Sequence, residues 1–353
     1  MRPCGEFHVR YAQEVPLFPS RGSLHWCLGG LAALVATAPF LGPYALTLMI
    51  QIGYFGIAAL GLNLVTGFSG QISLGHAAFF GFGAFTSAWL SNKGGVPVAL
   101  AIPLAGIATT FVGMLFGAPA ARIKGLYLAI ATLAAQYILE DFFSRAHGFT
   151  GGAAGAHAKP FTLFSYALDT ELKYFYVVLF FTVLMYLFAS NLMRTRDGRA
   201  LVAVRDHYIA AEIMGVGLAR YRILAFALSA FYAGVAGALM GHFVGFVSTE
   251  SINLLLSIQM LAMIIIGGLG SVMGSLLGTI FMVLLPEALE AAVHALKTAI
   301  PALQAAVSQV GLSYIKEISV GLFIVVFVVF EPQGLMHRWR LIKAYWKLYP
   351  FSH

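Results

Sequence analysis

Residues 41–65 read LGPYALTLMIQIGYFGIAALGLNLV, a run without an acidic or basic side chain. About 20 apolar residues in a helix cross the hydrocarbon of a bilayer, so this run alone is long enough to span one. It lies inside a longer interval, between Arg21 and Lys93, that holds no Asp, Glu, Lys or Arg and has room for more than one crossing. The same absence holds for 94–121, 223–249 and 251–286, each long enough for at least one more. The period-2 alternation of a membrane barrel is missing, which leaves helices as the spanning form. Composition agrees: 60% of the 353 residues are hydrophobic and 10% are charged, too little polar surface for a water-soluble domain of this size. The chain reads as an all-α integral membrane protein.

The apolar stretches predict about ten transmembrane helices, near 24–43, 44–65, 70–91, 97–118, 123–143, 173–193, 223–246, 253–268, 272–288 and 315–331. A net charge of +7 suggests nucleic acid until the charges are placed, for they collect beside span ends. With the N-terminus inside, 15 of the 21 Lys and Arg fall on the cytoplasmic side and 6 outside. That bias predicts two cytoplasmic termini and an even number of spans. Five spans precede an external loop near 144–172 and five follow it, so parity gives two five-helix halves in inverted orientation. Gly67-Phe-Ser-Gly70 echoes Gly268-Leu-Gly-Ser271, but both turns fall on the cytoplasmic side, so the echo reads as shared turn chemistry rather than as the repeat.

The organisation that follows is a cytoplasmic tail over 1–22, a membrane domain over 23–336 and a basic cytoplasmic tail over 337–353. The external loop carries Gly148-Phe-Thr-Gly-Gly152 and Gly155 and is expected to be irregular. Residues 290–313 are mildly amphipathic and fit a short outer-surface helix. Trp339, Tyr345, Trp346 and Tyr349, mixed with Arg338, Arg340, Lys343 and Lys347, suit a tail at the headgroup level. Cys4 and Cys27 are placed as reduced thiols, one in the tail and one in the first span. The apolar stretch after residue 21 runs too long for a cleaved signal peptide, so the first span is read as retained.

Between two apolar segments the chain places six arginines, at 194, 196, 199, 205, 220 and 222, with two aspartates and Glu212. Leu201, Val204, Tyr208 and Ala211 recur near a helical period from Asp197 onward, and Gly215 and Gly217 stop the pattern. This loop, 194–222, predicts a short helix lying on the cytoplasmic surface. The densest small and polar cluster is Gly61–Ala84, GLNLVTGFSGQISLGHAAFFGFGA. Its small residues allow close helix approach, and a glycine-broken segment offers backbone amides to a substrate carboxylate. Asn63, Ser69, Gln71, Ser73 and His76 are the candidate pathway contacts, against the plainer reading that they only pack helices. Gln51, Gln136, Gln259 and His242 sit inside apolar spans, where interhelical hydrogen bonds are expected of them. No phosphate-cradling Gly-x-x-x-x-Gly-Lys-[Ser/Thr], His-Glu-x-x-His or Gly-x-Ser-x-Gly occurs, and no Cys/His set is clustered, so no catalytic residue, metal ligand or bound cofactor is expected on this chain.

Several blocks together resemble the permease subunits of branched-chain amino acid ABC importers, the Liv type, and the M subunit more than the H subunit. They are Leu62–Phe80, Lys124–Leu133, Gly198–Leu201, Ala203–Asp206, Ala210–Gly215, Leu224–Ser229 and Ile266–Ser271, and the similarity runs from about residue 44 to 336. The resemblance implies a coupling helix in the arginine loop that docks on a separate ATPase. Ala210, Ala211 and Gly215 keep the Ala-Ala-x-x-x-Gly spacing of importer coupling loops, while Ile209 stands where many importers carry Glu. Arg205, Asp206 and Glu212 are the charges expected at that contact.

The resemblance further implies an inner-membrane importer permease for branched-chain or hydrophobic amino acids or related small carboxylates. Its partners would be a homologous second permease, LivH-like or another copy of itself, two P-loop ATPases carrying ATP and magnesium, an extracytoplasmic binding protein and membrane lipid. Related systems carry urea, amides or aromatic acids. Two rival readings stand beside it: a gradient-driven secondary transporter or channel, and a purely structural membrane subunit.

Overall fold

The structure is a computed structural model describing residues 21–123, 125–163, 166–167 and 170–299, then 318, 321–322, 324–327, 329–331 and 333–348. Its helices are α1 (Arg21–Thr37), α2 (Pro43–Asn63), α3 (His76–Asn92), α4 (Val98–Gly117), α5 (Leu126–Arg145), the single turn α6 (His147–Thr150), α7 (Glu171–Leu192), α8 (Arg196–Asp206), α9 (Tyr208–Ile213), α10 (Leu218–Val244), α11 (Leu254–Gly267), α12 (Val272–Ala299) and α13 (Leu335–Leu348). Among the described residues four two-residue strands, β1 (Ala156–His157), β2 (Thr162–Leu163), β3 (Tyr166–Ala167) and β4 (Phe246–Val247), form two small antiparallel pairs, β1 with β4 and β2 with β3.

Six of the ten expected spans are helices long and apolar enough to cross a membrane: Pro43–Phe68, Val98–Ala121, Leu126–Arg145, Glu171–Leu192, Leu218–Val244 and Val272–Val293. Three more are helical but short. The apolar first helix, His25–Phe40, and α11, of 14 residues, fall below that length, and α3 starts at His76 rather than near 70 because 69–75 leave the helix. The tenth, 315–331, is described at 318, 321–322, 324–327 and 329–331, and is helical at each of these but 331. Helix α12 does not stop at 288 but runs through Pro286 to Ala299; the remainder of the expected 290–313 helix lies outside the described residues. The external loop is less irregular than its glycines suggest, because its β1 strand pairs with β4 just after α10.

Helix α10 is the axis of the bundle, packed on α4, α3 and α2, with Ala227, Ala230, Ala233, Gly234, Ala236 and Gly237 all buried. Hydrophobic attraction gives helices little reason to associate in lipid, so close backbone approach has to supply the contact. A Cβ on Gly237 would stand 1.8 Å from the Phe80 carbonyl oxygen, and one on Gly83 would stand 2.3 Å from the Gly234 Cα. The same device joins α11 to α12, where a Cβ on Gly278 would meet the Met263 carbonyl at 1.8 Å. Large apolar side chains such as Phe111 and Leu115 point outward instead, as a lipid-facing surface requires. At the external-loop end the Tyr44 hydroxyl donates to Glu287, joining α2 to α12.

At the opposite end lie the arginine loop, the 268–271 turn and α13. A Cβ on Gly334, at the start of α13, would stand 2.5 Å from the Gly268 Cα. Trp339 and Tyr345 on α13 are exposed.

Candidate functional site

The site is built where α2 breaks. After Asn63 the helix widens into a π turn, Leu64–Phe68, a form concentrated at functional positions. Gly70 then takes φ +71°, a conformation that costs glycine nothing, and the chain stays non-helical to His76. Inside the break, the Ser69 hydroxyl donates to the Val65 carbonyl (2.8 Å) and Gln71 Nε2 donates to Ser69 Oγ (2.6 Å). The first amides of α3 are taken by neighbouring helices. Leu74 N–H donates to Thr132 Oγ1 (3.0 Å), Ala77 N–H to Ser257 Oγ (2.9 Å) and Ala78 N–H to Gln136 Oε1 (2.8 Å). The amides expected to be open to a substrate carboxylate are therefore capped by protein in this conformation, as the amides of a buried helix start must be.

Asn63 fastens the break to a second turn. Its Nδ2 donates to the Ser271 carbonyl (2.9 Å) and to Ser275 Oγ (2.7 Å), and its Oδ1 accepts from Gly270 N–H (2.9 Å). Only 1% of Asn63 is exposed, so every bond it makes is within the protein. Arg205 reaches the same junction from α8: Nη1 donates to the Gly67 carbonyl (2.7 Å), while Nε pairs with Asp206 Oδ1 (2.8 Å). A Cβ on Gly70 or on Gly270 would each stand 2.8 Å from an Arg205 side-chain atom. The two glycine turns that echo each other in sequence thus lie side by side, with Arg205 against both.

The five candidate pathway residues are all buried, and two of them, Ser69 and Gln71, line one cavity. His76 turns away, its Nε2 within 2.9 Å of the Ala58 carbonyl and its Nδ1 within 3.4 Å of Ser229 Oγ. Ser73 Oγ and Gln71 Oε1 have no hydrogen-bond partner among the described residues. Ser69 and Gln71 line a cavity of about 180 Å³ with Ile123, Leu128, Val204, Arg205, Tyr208 and Arg222. Among the span residues singled out for interhelical bonds, Gln136 also reaches the Ile252 carbonyl (3.3 Å), and His242 joins Ser87 Oγ to the Lys159 carbonyl, both at 2.7 Å.

The surface helix of the arginine loop divides in two at His207, where the backbone leaves helical geometry. Thr195 caps α8 by accepting from Gly198 N–H (3.3 Å). Leu201, Val204 and Ala211 are buried, and Asp206, Ala210 and Glu212 face outward. Gly215 ends the pair at φ +84°. Ile209, Ile213 and Met214 are 60%, 80% and 83% exposed, an outward apolar edge that sequence reasoning did not single out. Its signal is there to read: Ile209 and Ile213 stand four apart, on one helical face opposite the buried Ala211. Gly270 and Ser271 were read only as turn chemistry, and Ser275 and the capping Ser257 escaped notice.

Spanning helices packed around a polar, broken-helix centre, with an arginine helix seated on the break, define a multi-pass membrane protein of the kind that transport proteins use. The family model described as branched-chain amino acid transport system / permease component matches residues 44–329, and the chain belongs to that family. It is 34% identical over 255 residues to the Salmonella typhimurium high-affinity branched-chain amino acid transport system permease protein LivM, covering 65% of this chain and 60% of that one. It matches a probable LivM of Methanocaldococcus jannaschii at 26% over 313 residues (83% and 89%) and the Escherichia coli permease protein LivH at 23% over 257 residues (65% and 79%). The chain thus spans 60% of the length of the LivM relative it matches at 34% identity. No solved structure matches. The relatives named are permease proteins of transport systems, not enzymes.

Proposed function

We propose that this chain is the membrane subunit of an ATP-driven importer for branched-chain or other hydrophobic amino acids or related small carboxylates. The observation that carries the reading is the contact of Arg205 with the break: a surface helix pair with an exposed apolar edge is tied by hydrogen bonds to Gly67, and through Asn63 to Gly270 and Ser271. Push on the outer edge, and the force arrives where α2 breaks. In this reading 194–222 is the coupling loop, Ile209, Ile213 and Met214 enter a groove on a cytoplasmic ATPase, and Arg205, Asp206, Ala210, Ala211, Glu212 and Gly215 shape the contact. Closure of the two ATPases around ATP draws the 205–215 segment and reorients the spans about 63–76.

A second, homologous permease of the LivH kind, or another copy of this chain, completes the pore, with the two five-helix halves of each permease in inverted orientation. An extracytoplasmic binding protein delivers cargo. The complex sits in the bacterial inner membrane with both termini of this chain in the cytoplasm. The names of the relatives and the charge sorting support these assignments.

Reconstitution tests it. The tagged chain, purified in mild detergent, is expected to bring a P-loop ATPase and a second permease with it, and the complex in proteoliposomes to accumulate leucine at the expense of ATP. Gly215→Val forces a β-branched side chain into a left-handed conformation, at a cost of about 1–2 kcal/mol. The expected result is an assembled complex that hydrolyses ATP with uptake reduced at least ~10-fold. Normal uptake by the variant, or uptake driven by a proton or sodium gradient without ATP, would sink the coupling assignment.

A further inference from the structure

We propose that the cavity between α8 and the break binds a small ligand bearing an oxyanion, a carboxylate or a phosphate, together with a hydrogen-bond donor. The observation behind it is Arg222. This residue, near the start of α10, is 5% exposed, yet among the described residues it makes no ion pair within 4 Å. Buried charges ordinarily have a partner. Glu212 and Tyr208 are the groups that act on it electrostatically. Arg222 lines the cavity of about 180 Å³ together with Arg205, so two arginines border one space. Arg205 is in direct contact with a carboxylate, that of Asp206; among the described residues Arg222 has none within 4 Å.

The other polar lining fits a ligand of mixed character. Gln71 is 5% exposed, lines the same cavity and leaves its Oε1 without a donor, while its Nε2 is spent on Ser69. An anion alone cannot satisfy that oxygen. A ligand carrying an ammonium or hydroxyl beside its oxyanion satisfies both Arg222 and Gln71. The volume far exceeds the ~10–15 Å³ that holds one water. Two sources share this chemistry, a free amino acid on the arginine-loop side and the headgroup of a phospholipid. The site stands whether or not the loop couples to an ATPase.

The test is thermal unfolding of the full chain, with any subunits that co-purify, titrated with leucine, with inorganic phosphate and with micelles doped with phosphatidylglycerol or, as control, phosphatidylcholine. A saturable rise in Tm with at least one anionic probe is expected, and Arg222→Gln is expected to weaken its half-saturation at least ~10-fold, the range for a charge-assisted contact. Glu212→Gln removes a competing negative charge and is expected to tighten binding about threefold. Response to leucine or phosphate assigns the site to a free ligand; response to phosphatidylglycerol alone assigns it to lipid. If Arg222→Gln does not fold, Gln71→Ala takes its place, with an expected loss of about threefold. No saturable response to any probe, or equal responses in wild type and variants, would overturn the proposal.

Discussion

The seam between α3 and α10 and the junction around Asn63 are both buried and both join distant parts of the chain, but opposite means hold them. At the seam the contact is backbone on backbone, Gly237 against the Phe80 carbonyl and Gly83 against Gly234. Nothing there can be exchanged for another partner. At the junction the contacts are side-chain hydrogen bonds, Asn63 to Gly270, Ser271 and Ser275 and Arg205 to Gly67. Each of those groups can find a substitute, including water, at modest net cost. The seam is thus suited to hold one geometry and the junction to alternate between two.

Substitutions that separate stability from transport put the contrast at risk, and the largest effect is expected at the seam. Gly237→Val puts side-chain carbon where the Phe80 carbonyl stands. A loss of about 3 kcal/mol, the upper end for overpacking, is expected to appear as a lowered Tm and a collapse of monodisperse yield. A well-folded variant would show the seam to be as adaptable as the junction. Asn63→Ala comes next, since it takes the acceptor from Gly270 N–H and one donor from Ser275 Oγ, which keeps its bond to the Ser271 carbonyl, at about 2 kcal/mol. Here uptake is expected to fall further than the Tm shift explains; parallel losses would make Asn63 a packing residue only.

Arg205→Lys keeps the charge but loses the planar fork that holds Asp206 and Gly67 together. Less than about 1 kcal/mol of stability is expected to go, while transport per ATP falls several-fold. Unchanged coupling would remove Arg205 from the linkage. The smallest effect belongs to Ser257→Ala, which uncaps the Ala77 amide for about 1 kcal/mol. A modest Tm decrease with transport intact is the expected pattern, and lost transport would make the start of α3 part of the moving junction.

Much of this was legible from residues alone. The spans Pro43–Phe68, Val98–Ala121, Leu218–Val244 and Val272–Val293 followed from charge-free intervals, because lipid punishes unpaired polar groups wherever they fall. The helix in the arginine loop followed from Leu201, Val204, Tyr208 and Ala211 at helical spacing, although Tyr208 is 40% exposed, and the breaks at 67–70 and 268–271 from their glycines, the first of which runs on to 75. The pairing of those breaks was not legible. Nothing local in Asn63 tells that its partners lie 207 to 212 residues further on, since a hydrogen bond between turns leaves no periodicity. The capping of α3 was hidden for the same reason: Thr132, Gln136 and Ser257 read singly as ordinary polar residues in apolar helices. The exposed edge at Ile209, Ile213 and Met214 was legible and overlooked, for in an apolar chain such residues attract no notice.

The reach of Asn63 also sets an order of events during synthesis. A ribosome adding ~5–20 residues per second leaves roughly 10–40 s between the emergence of Asn63 and that of Ser275. Through that interval α2 and α3 are already in the membrane while the partners that fasten the break have not been made. The nascent chain must keep those polar groups wet or chaperoned until its last third arrives, so truncations ending before residue 270 strand the break open rather than yield a smaller permease.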